Sequence, residues 1–522
     1  WLKLQQRPRG LAPLFPARMA GLRGHRTQKA WRRWSSPGVE LACLCLLVLP
    51  NRPWPEPSAW TLPVRARTSA ALGSGTGRLS VAAPPLSRSH NTRQRLGAVG
   101  APVQDSVRQR SEAGQWSALY DWVNSTSESD MSDISVEVAP VDLAPGELGL
   151  IAARKLEPGD ILTWAPTSLL LTKEKAVAIL GEAVEAVDDR IAIALLLIHE
   201  RFVKGQASAW ATYCESLPAF TGDVSGPSFL WSPEEWEWLE GSDGYSATAQ
   251  MRYTVEEEFA GLQETLLKEH SAIFPPDIFG EENYLWAAAV VASRAYGDDQ
   301  EGSRLAIAPL VDFLNHKAGS LQLTRFSNGI VAYAHQHFEK GEQVWVSYGG
   351  KNNAQLLSQY GFVDTDNQDE AIFLRMGSHF ELAEPFADTK RTLLTQLLER
   401  DPDTAILRLP RRPREWEAEL IPTIRALALS EEDFAPVSIR ELVPPQNPRL
   451  EAAAWTVLTE ALKRRAAEYP TSLSAARDEL AKGDLQERHV LGLRLRISEQ
   501  ELLEEALVQA EERREAALAD LE

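Results

Sequence analysis

The sequence predicts an α+β protein: a strand-rich core, split by a helical insert and followed by a helical C-terminal domain. Three observations carry this. Strand-like runs broken by Pro145-Gly146 and Pro158-Gly159 turns begin near Ile134. Helical periodicity takes over at about 175–290, and strand-like patterning then returns from Leu305 to Tyr348. From about Asp388 onward the pattern is mostly helical. The domain reading is a leader over 1–110, a core domain over 134–365 and a helical domain over 366–522.

The leader comes first. Residues 1–100 carry 16 Lys and Arg against two acids, Glu40 and Glu56, a net of +14, and are rich in Ser, Ala and Pro. That is a targeting composition. Two arginines, Arg32 and Arg33, precede a nine-residue apolar run, Leu41 to Leu49, too short to span a bilayer. A signal-like core before an Arg/Ser-rich stretch resembles bipartite plastid targeting; the plainer alternative is a disordered extension. The rest of the chain holds 38 basic and 71 acidic residues, a net of −33 within a total of −19. So acidic a body argues against nucleic-acid binding, which needs basic surface to replace counterions. No apolar run of about 18 residues predicts a membrane helix. Cys43, Cys45 and Cys214 are too few for a disulfide framework or a four-cysteine zinc site.

Within the body, "DDRIAIALLLIHERF" reads as a helix with a long apolar face. "WSPEEWEWLEG" has Ser232 as N-cap, Pro233 at the first position and Glu235 at the third. "TVEEEFAGLQETLLKEH" and "ENYLWAAAVVASRAYG" are further helices. Near the C-terminus, Trp455, Leu458 and Leu462 form an apolar stripe that reads as plain core, and Ser498 with Glu501 reads as a capping box opening the last helix.

Two stretches carry chemistry. "APLVDFLNHKAGS" places Asp312, Asn315 and His316 around an apolar run, where an ordinary core needs no Asn-His pair. "GEQVWVSYGGKNNAQLLSQYGF" reads as a strand ending at Tyr348, a Gly349-Gly350 turn, and a short helix ending at Gly361. Tyr348 and Tyr360 thus sit at element ends, where a phenol can point into a cleft. Each has a plainer reading: a satisfied buried Asn-His pair, or two core tyrosines. "HQH", His335 to His337, reads as a solvated face, and no H-E-x-x-H, G-x-S-x-G or P-loop occurs.

Together these stretches resemble the two core motifs of SET-domain protein methyltransferases. "LWSPEEWEWLEGS", "FPPDIFGEENYLWAAAVVASRAY" and "RHVLGLRLRISEQELLEEAL" are similar to the Rubisco large-subunit lysine methyltransferase branch. The resemblance runs from about Ile134 to Arg514 and implies a SET β-fold with a pseudoknot, plus a Rubisco-methyltransferase-type substrate-binding domain. It implies S-adenosyl-L-methionine as cofactor, held by the turn Gly146, Glu147 and Leu148 and by Arg294, Asn315 and His316. Tyr348 matches the family's catalytic tyrosine. Arg294, Asp312, Tyr348 and Tyr360 match the substrate pocket. The implied activity is protein-lysine N-methylation by a monomer, on Rubisco large subunit or another plastid protein, with no metal, nucleic acid or membrane partner. Histidine methylation and a catalytically silent SET-shaped binding module are the alternatives, and cytoplasm or nucleus the alternative locations. Glu147, Lys317 and Asp298 depart from the branch's usual residues at their positions.

Overall fold

The computed structural model describes residues 114–126, 134–141, 148–220, 226–297, 304–380, 386–430, 442 and 444–521. The leader, Gly146, Glu147 and Asp298 lie outside the described residues.

The strand-rich part is built from small sheets. Val136–Pro140 (β1) pairs antiparallel with Leu148–Ala152 (β2). Ile161–Pro166 (β3) and Thr324–Phe326 (β8) flank Gly329–Tyr333 (β9). Leu171–Thr172 (β4) and Ala295–Tyr296 (β5) flank Ala306–Ile307 (β6). Asn315–His316 (β7) runs parallel to Trp345–Val346 (β10). The return segment is gripped by one stretch of chain, because Lys317 N–H donates to Val346 O and Ser347 N–H donates to Leu321 O, both at 2.9 Å.

The helical insert leaves and re-enters a single sheet. β4 runs straight into the helix Lys173–Leu180, where Thr172 is the N-cap. The last insert helix, Glu281–Arg294, runs straight into β5, which fixes Arg294 at the sheet's end. Asp188 caps the helix Asp189–Ile198, accepting from Ile191 N–H at 2.9 Å. Ala192 to Ile198 are all buried there, as are Trp286 to Ala292 in Glu281–Arg294. Both helices are apolar almost all round, the pattern of helices inside a core. Each fully buried Leu or Ile contributes on the order of 1.5–3 kcal/mol, so Leu196→Ala is a single change that costs about 2–5 kcal/mol. The Ser232 capping box forms as the sequence predicts.

The folded part begins earlier than Ile134. A helix, Gly114–Thr126, buries Leu119 and Val123 in the same core as the sheets. It is pinned by Tyr120 Oη donating to Val136 O at 2.8 Å and Trp122 Nε1 donating to Ala209 O at 2.9 Å.

The C-terminal part has its own core, around Trp416, Ile424, Leu458, Leu462 and Leu503. It is helical with one addition. Ala371–Arg375 (β11) and Ile406–Pro410 (β12) form an antiparallel pair, Ile372 opposite Leu409. The two strands alternate with period two, but a helix, Ala387–Leu398, separates them, so neither marks a hairpin in sequence. The Trp455, Leu458 and Leu462 stripe is buried core, as read from the sequence. The Ser498 capping box does not form. The last helix runs unbroken from Glu487 to Ala519, and the Ser498 hydroxyl donates to Glu370 Oε2 at 2.8 Å. A serine with a buried carboxylate partner needs no helix end to satisfy it.

Candidate functional site

The site begins with a strained residue. Leu310 sits at φ 73, which a bulky side chain rarely adopts, and is held there by complete burial. A 3-10 turn, Val311–Phe313, follows and turns the chain into β7. Asp312 thereby faces inward while Asn315 and His316 lie along the return strand.

Asn315 Nδ2 donates to Leu148 O at 3.0 Å, which ties β7 to the start of β2. His316 is buried, and its Nδ1 accepts from the Tyr348 backbone N–H at 3.0 Å. The ring is therefore the tautomer with its proton on Nε2. Burial holds its pKa below the ordinary value, despite Asp364 and Asp369, so the imidazole is neutral.

Around it stand three rings. Tyr348 stacks on Tyr360 with centroids 4.7 Å apart, and His316 lies 5.2 Å from Tyr348 and 6.2 Å from Phe362. The Tyr348 hydroxyl donates to Leu314 O at 2.8 Å. Tyr360 owes its position to the helix Asn353–Tyr360. Asn352 opens that helix in a reciprocal capping box with Gln355, and Gly361 closes it at φ 87. A Cβ at Gly361 would come within 2.3 Å of the Gly226 backbone, so only glycine fits.

The second cluster is ionic. Arg294 Nη1 donates to Asp312 Oδ2 at 2.9 Å and to Asp312 O at 3.2 Å, and the guanidinium lies 5.2 Å above the Phe313 ring. Asp312 Oδ2 also accepts from Tyr213 Oη at 2.7 Å, while Oδ1 is buried with no partner among the described residues. Burial holds the Asp312 carboxyl above the usual carboxylate range, against the pull of Arg294 and Tyr213. Burial opposes the charge on Arg294, but Asp312 raises its pKa overall, and Tyr348 lies within its electrostatic reach.

The structure thus brings Asn315, His316, Tyr348 and Tyr360 together with Leu148, and pairs Arg294 with Asp312 next to them. Tyr213 and Phe362 are additions. Phe362 follows Gly361 directly and could have been read from "YGF". Tyr213, inside "WATYCES", gives no local signal. Among the described residues no three His, Cys, Asp or Glu side chains group as a metal site. Stacked phenols beside a neutral imidazole suit a cationic or amine side chain and offer oriented oxygens to it.

Known proteins resemble this chain in sequence and fold. Residues 381–503 match the Rubisco LSMT substrate-binding family. The chain is 26% identical over 392 residues to the chloroplastic [fructose-bisphosphate aldolase]-lysine N-methyltransferase of Arabidopsis thaliana, covering 70% of this chain and 78% of that protein. It is 25% identical over 394 residues to the actin-histidine N-methyltransferase of Homo sapiens, spanning 70% of this chain and just under two thirds, 64%, of that one. The crystal structure of the SET domain of LSMT bound to lysine and AdoHcy superposes with a TM-score of 0.63 at 22% identity, over 78% of this chain and 92% of that one. Rubisco LSMT bound to AdoMet gives 0.62 at 23%, over 77% and 93%. The chain accordingly has the SET fold of the Rubisco LSMT structures, split by a helical insert and followed by a region that matches the Rubisco LSMT substrate-binding family.

Proposed function

We propose that the chain is an S-adenosylmethionine-dependent protein-lysine N-methyltransferase with Tyr348 as its catalytic residue. The observation that carries this reading is the Tyr348–Tyr360 stack at 4.7 Å, set beside a His316 ring in its neutral form.

The residues present fit the cofactor. A Cβ at Gly149 would stand 2.8 Å from Asn315 Nδ2 and 2.7 Å from Gln343 Nε2, so bare backbone lies against both amides. Gln343 Nε2 is buried with no partner among the described residues, a donor that a ligand oxygen can satisfy. His316 has its Nε2 proton to donate. Arg294 Nε and Nη2 make no hydrogen bond among the described residues, which leaves the fork for a carboxylate. When bound, S-adenosylmethionine supplies a methyl group on a positively charged sulfur. Asn315, His316 and Arg294 would hold it, and the turn Gly146, Glu147 and Leu148 is the further cofactor contact we propose.

The chain's own groups prepare the acceptor. A lysine entering beside Tyr348 and Tyr360 is shielded from water on its aromatic sides. Lysine has a reference pKa near 10.4, and a narrow, partly dry slot lowers it toward the neutral amine that can accept a methyl group. The Tyr348 hydroxyl and the Leu314 carbonyl orient that amine. Asp312 shapes the pocket by holding Arg294. Histidine, the acceptor named for the actin-directed relative, is the alternative, and the substrate test below separates the two.

The substrate we propose is a plastid protein, Rubisco large subunit or a sugar-phosphate aldolase, a reading supported by the basic leader composition and the chloroplastic relative. Incubating the protein with isotopically labelled S-adenosylmethionine and each of Rubisco, aldolase and actin tests it. Label on a lysine of a plastid protein is expected. Label on an actin histidine would replace the reading with the histidine one, and no label with no cofactor binding would leave only a binding module.

A further inference from the structure

We propose that Tyr213 is a positioning residue: its hydroxyl fixes the Asp312 carboxylate so that Asp312 holds the Arg294 guanidinium in its cofactor-binding orientation. This rests on the reading of Arg294 as a cofactor contact.

Tyr213 belongs to the insert, 99 residues before Asp312 in sequence, on the short helix Ala211–Ser216. It is 0% exposed, so its phenol reaches neither ligand nor solvent. Among the described residues its hydroxyl has one hydrogen bond, to Asp312 Oδ2 at 2.7 Å, and the same oxygen takes Arg294 Nη1 at 2.9 Å. Asp312 Oδ1 has no partner among the described residues. The carboxylate's orientation therefore depends on its other oxygen, where the phenol and the guanidinium converge. Remove the phenol and, among the described residues, Arg294 alone is left as a side-chain partner of a buried charge with an unsatisfied oxygen.

The phenol is itself held from behind. The Trp122 ring stacks on Tyr213 at 6.5 Å and 17°, and Trp122 Nε1 is fixed on Ala209 O. The N-terminal helix Gly114–Thr126 thus reaches the site through Trp122, Tyr213, Asp312 and Arg294 in turn. The charged and titratable groups bearing on Asp312 are Arg294 and Tyr213, with Cys214 and Tyr348 one step beyond. Burial keeps Tyr213 protonated, hence a donor, at any ordinary pH. Its bond to Asp312 favours the ionised carboxylate, so losing it lets Asp312 take up a proton at higher pH and weakens the hold on Arg294.

Calorimetric titration of the full chain with S-adenosylmethionine, from about pH 5 to 8, tests this. It is run on wild type, Tyr213→Phe, Asp312→Asn and the double variant, with cofactor-free melting temperatures alongside. Tyr213→Phe keeps the ring and its stacking and removes only the hydroxyl. Its cofactor affinity is expected to fall about 10-fold, and the loss of affinity on acidification to begin at higher pH than in wild type. The hydroxyl's removal should have no further effect in the Asp312→Asn background. Wild-type affinity and pH profile in Tyr213→Phe overturn the proposal. So does an equal loss in the Asp312→Asn background, because Tyr213 would then act by another route. A lowered melting temperature with an unshifted pH profile also overturns it, as that is a purely structural role. Absence of binding by wild type instead overturns the reading of the site on which the proposal rests, a separate result.

Discussion

His316 Nδ1 accepts the backbone N–H of Tyr348 at 3.0 Å, so one imidazole joins the two sequence motifs of the site. Protonating that ring breaks the bond. Burial lowers the folded-state pKa of His316, while the unfolded side chain protonates near about 6.5. The stabilisation is therefore present above that pH and lost as pH falls toward the folded value. Calorimetric melting across this range should show a decline in wild type on acidification that is smaller in His316→Asn. His335, His379 and His489 are lowered too, so the difference between the two proteins is the measurement. Parallel curves would mean that His316 does not titrate in this window.

Tyr348→Phe removes a hydroxyl bonded to Leu314 O at 2.8 Å and leaves the stack on Tyr360. If that hydroxyl orients the reacting amine, methyl transfer should drop by roughly 100-fold or more. Cofactor affinity should change less than about 3-fold, because no cofactor contact is assigned to the phenol. Single-turnover rates and equilibrium titrations separate the two effects, and an unchanged rate would remove Tyr348 from the chemistry.

Gly361→Ala should be costly. The position needs φ 87, and the new Cβ would meet the Gly226 backbone at 2.3 Å. Strain of this kind costs about 1–3 kcal/mol before any backbone shift. Relief of the clash moves the helix end that carries Tyr360, so substrate KM should rise along with the loss in melting temperature. A variant as stable and active as wild type would show that this helix end yields freely.

What was legible in the sequence was local. Ser232, Asn315, His316, Tyr348 and the Tyr360-Gly361 helix end all lie in short segments whose turn chemistry or motif spacing can be read directly. What was not legible depends on distant pairing. Tyr213 meets Asp312 across 99 residues, and Ser498 meets Glu370 across 128. Neither partner changes the local pattern of the other. The helix Gly114–Thr126 escaped for a related reason: its buried Leu119 and Val123 make too short a stripe to stand out beside a polar leader. The β11–β12 ladder was hidden because its strands pair around an intervening helix.

Those distant pairings also set how the last helix meets the insert. Glu499, on that helix, is buried and accepts the Asp243 backbone N–H at 3.1 Å and the Tyr469 hydroxyl at 2.5 Å. Arg465 lies 3.3 Å from Glu499 and 3.4 Å from the Asp243 carboxylate, one guanidinium between two buried acids. Burial, and then Asp243, push the Glu499 carboxyl up to about 8, with Arg465 pulling the other way. A raised folded-state pKa means stability that is fully present below the unfolded value and lost as pH rises through the folded one. The protein should therefore lose melting temperature as pH rises from the unfolded carboxylate's value of about 4.3 up to about 8, where the loss levels off. Glu499→Gln, which keeps the shape and stays neutral, should flatten that decline while leaving the melting temperature near that of wild type below the unfolded carboxylate's value of about 4.3. Melting curves of the two proteins across that range decide it: a decline of equal size in Glu499→Gln would place the titrating group elsewhere in the cluster, with Glu370 next in line because its buried carboxyl is raised as well.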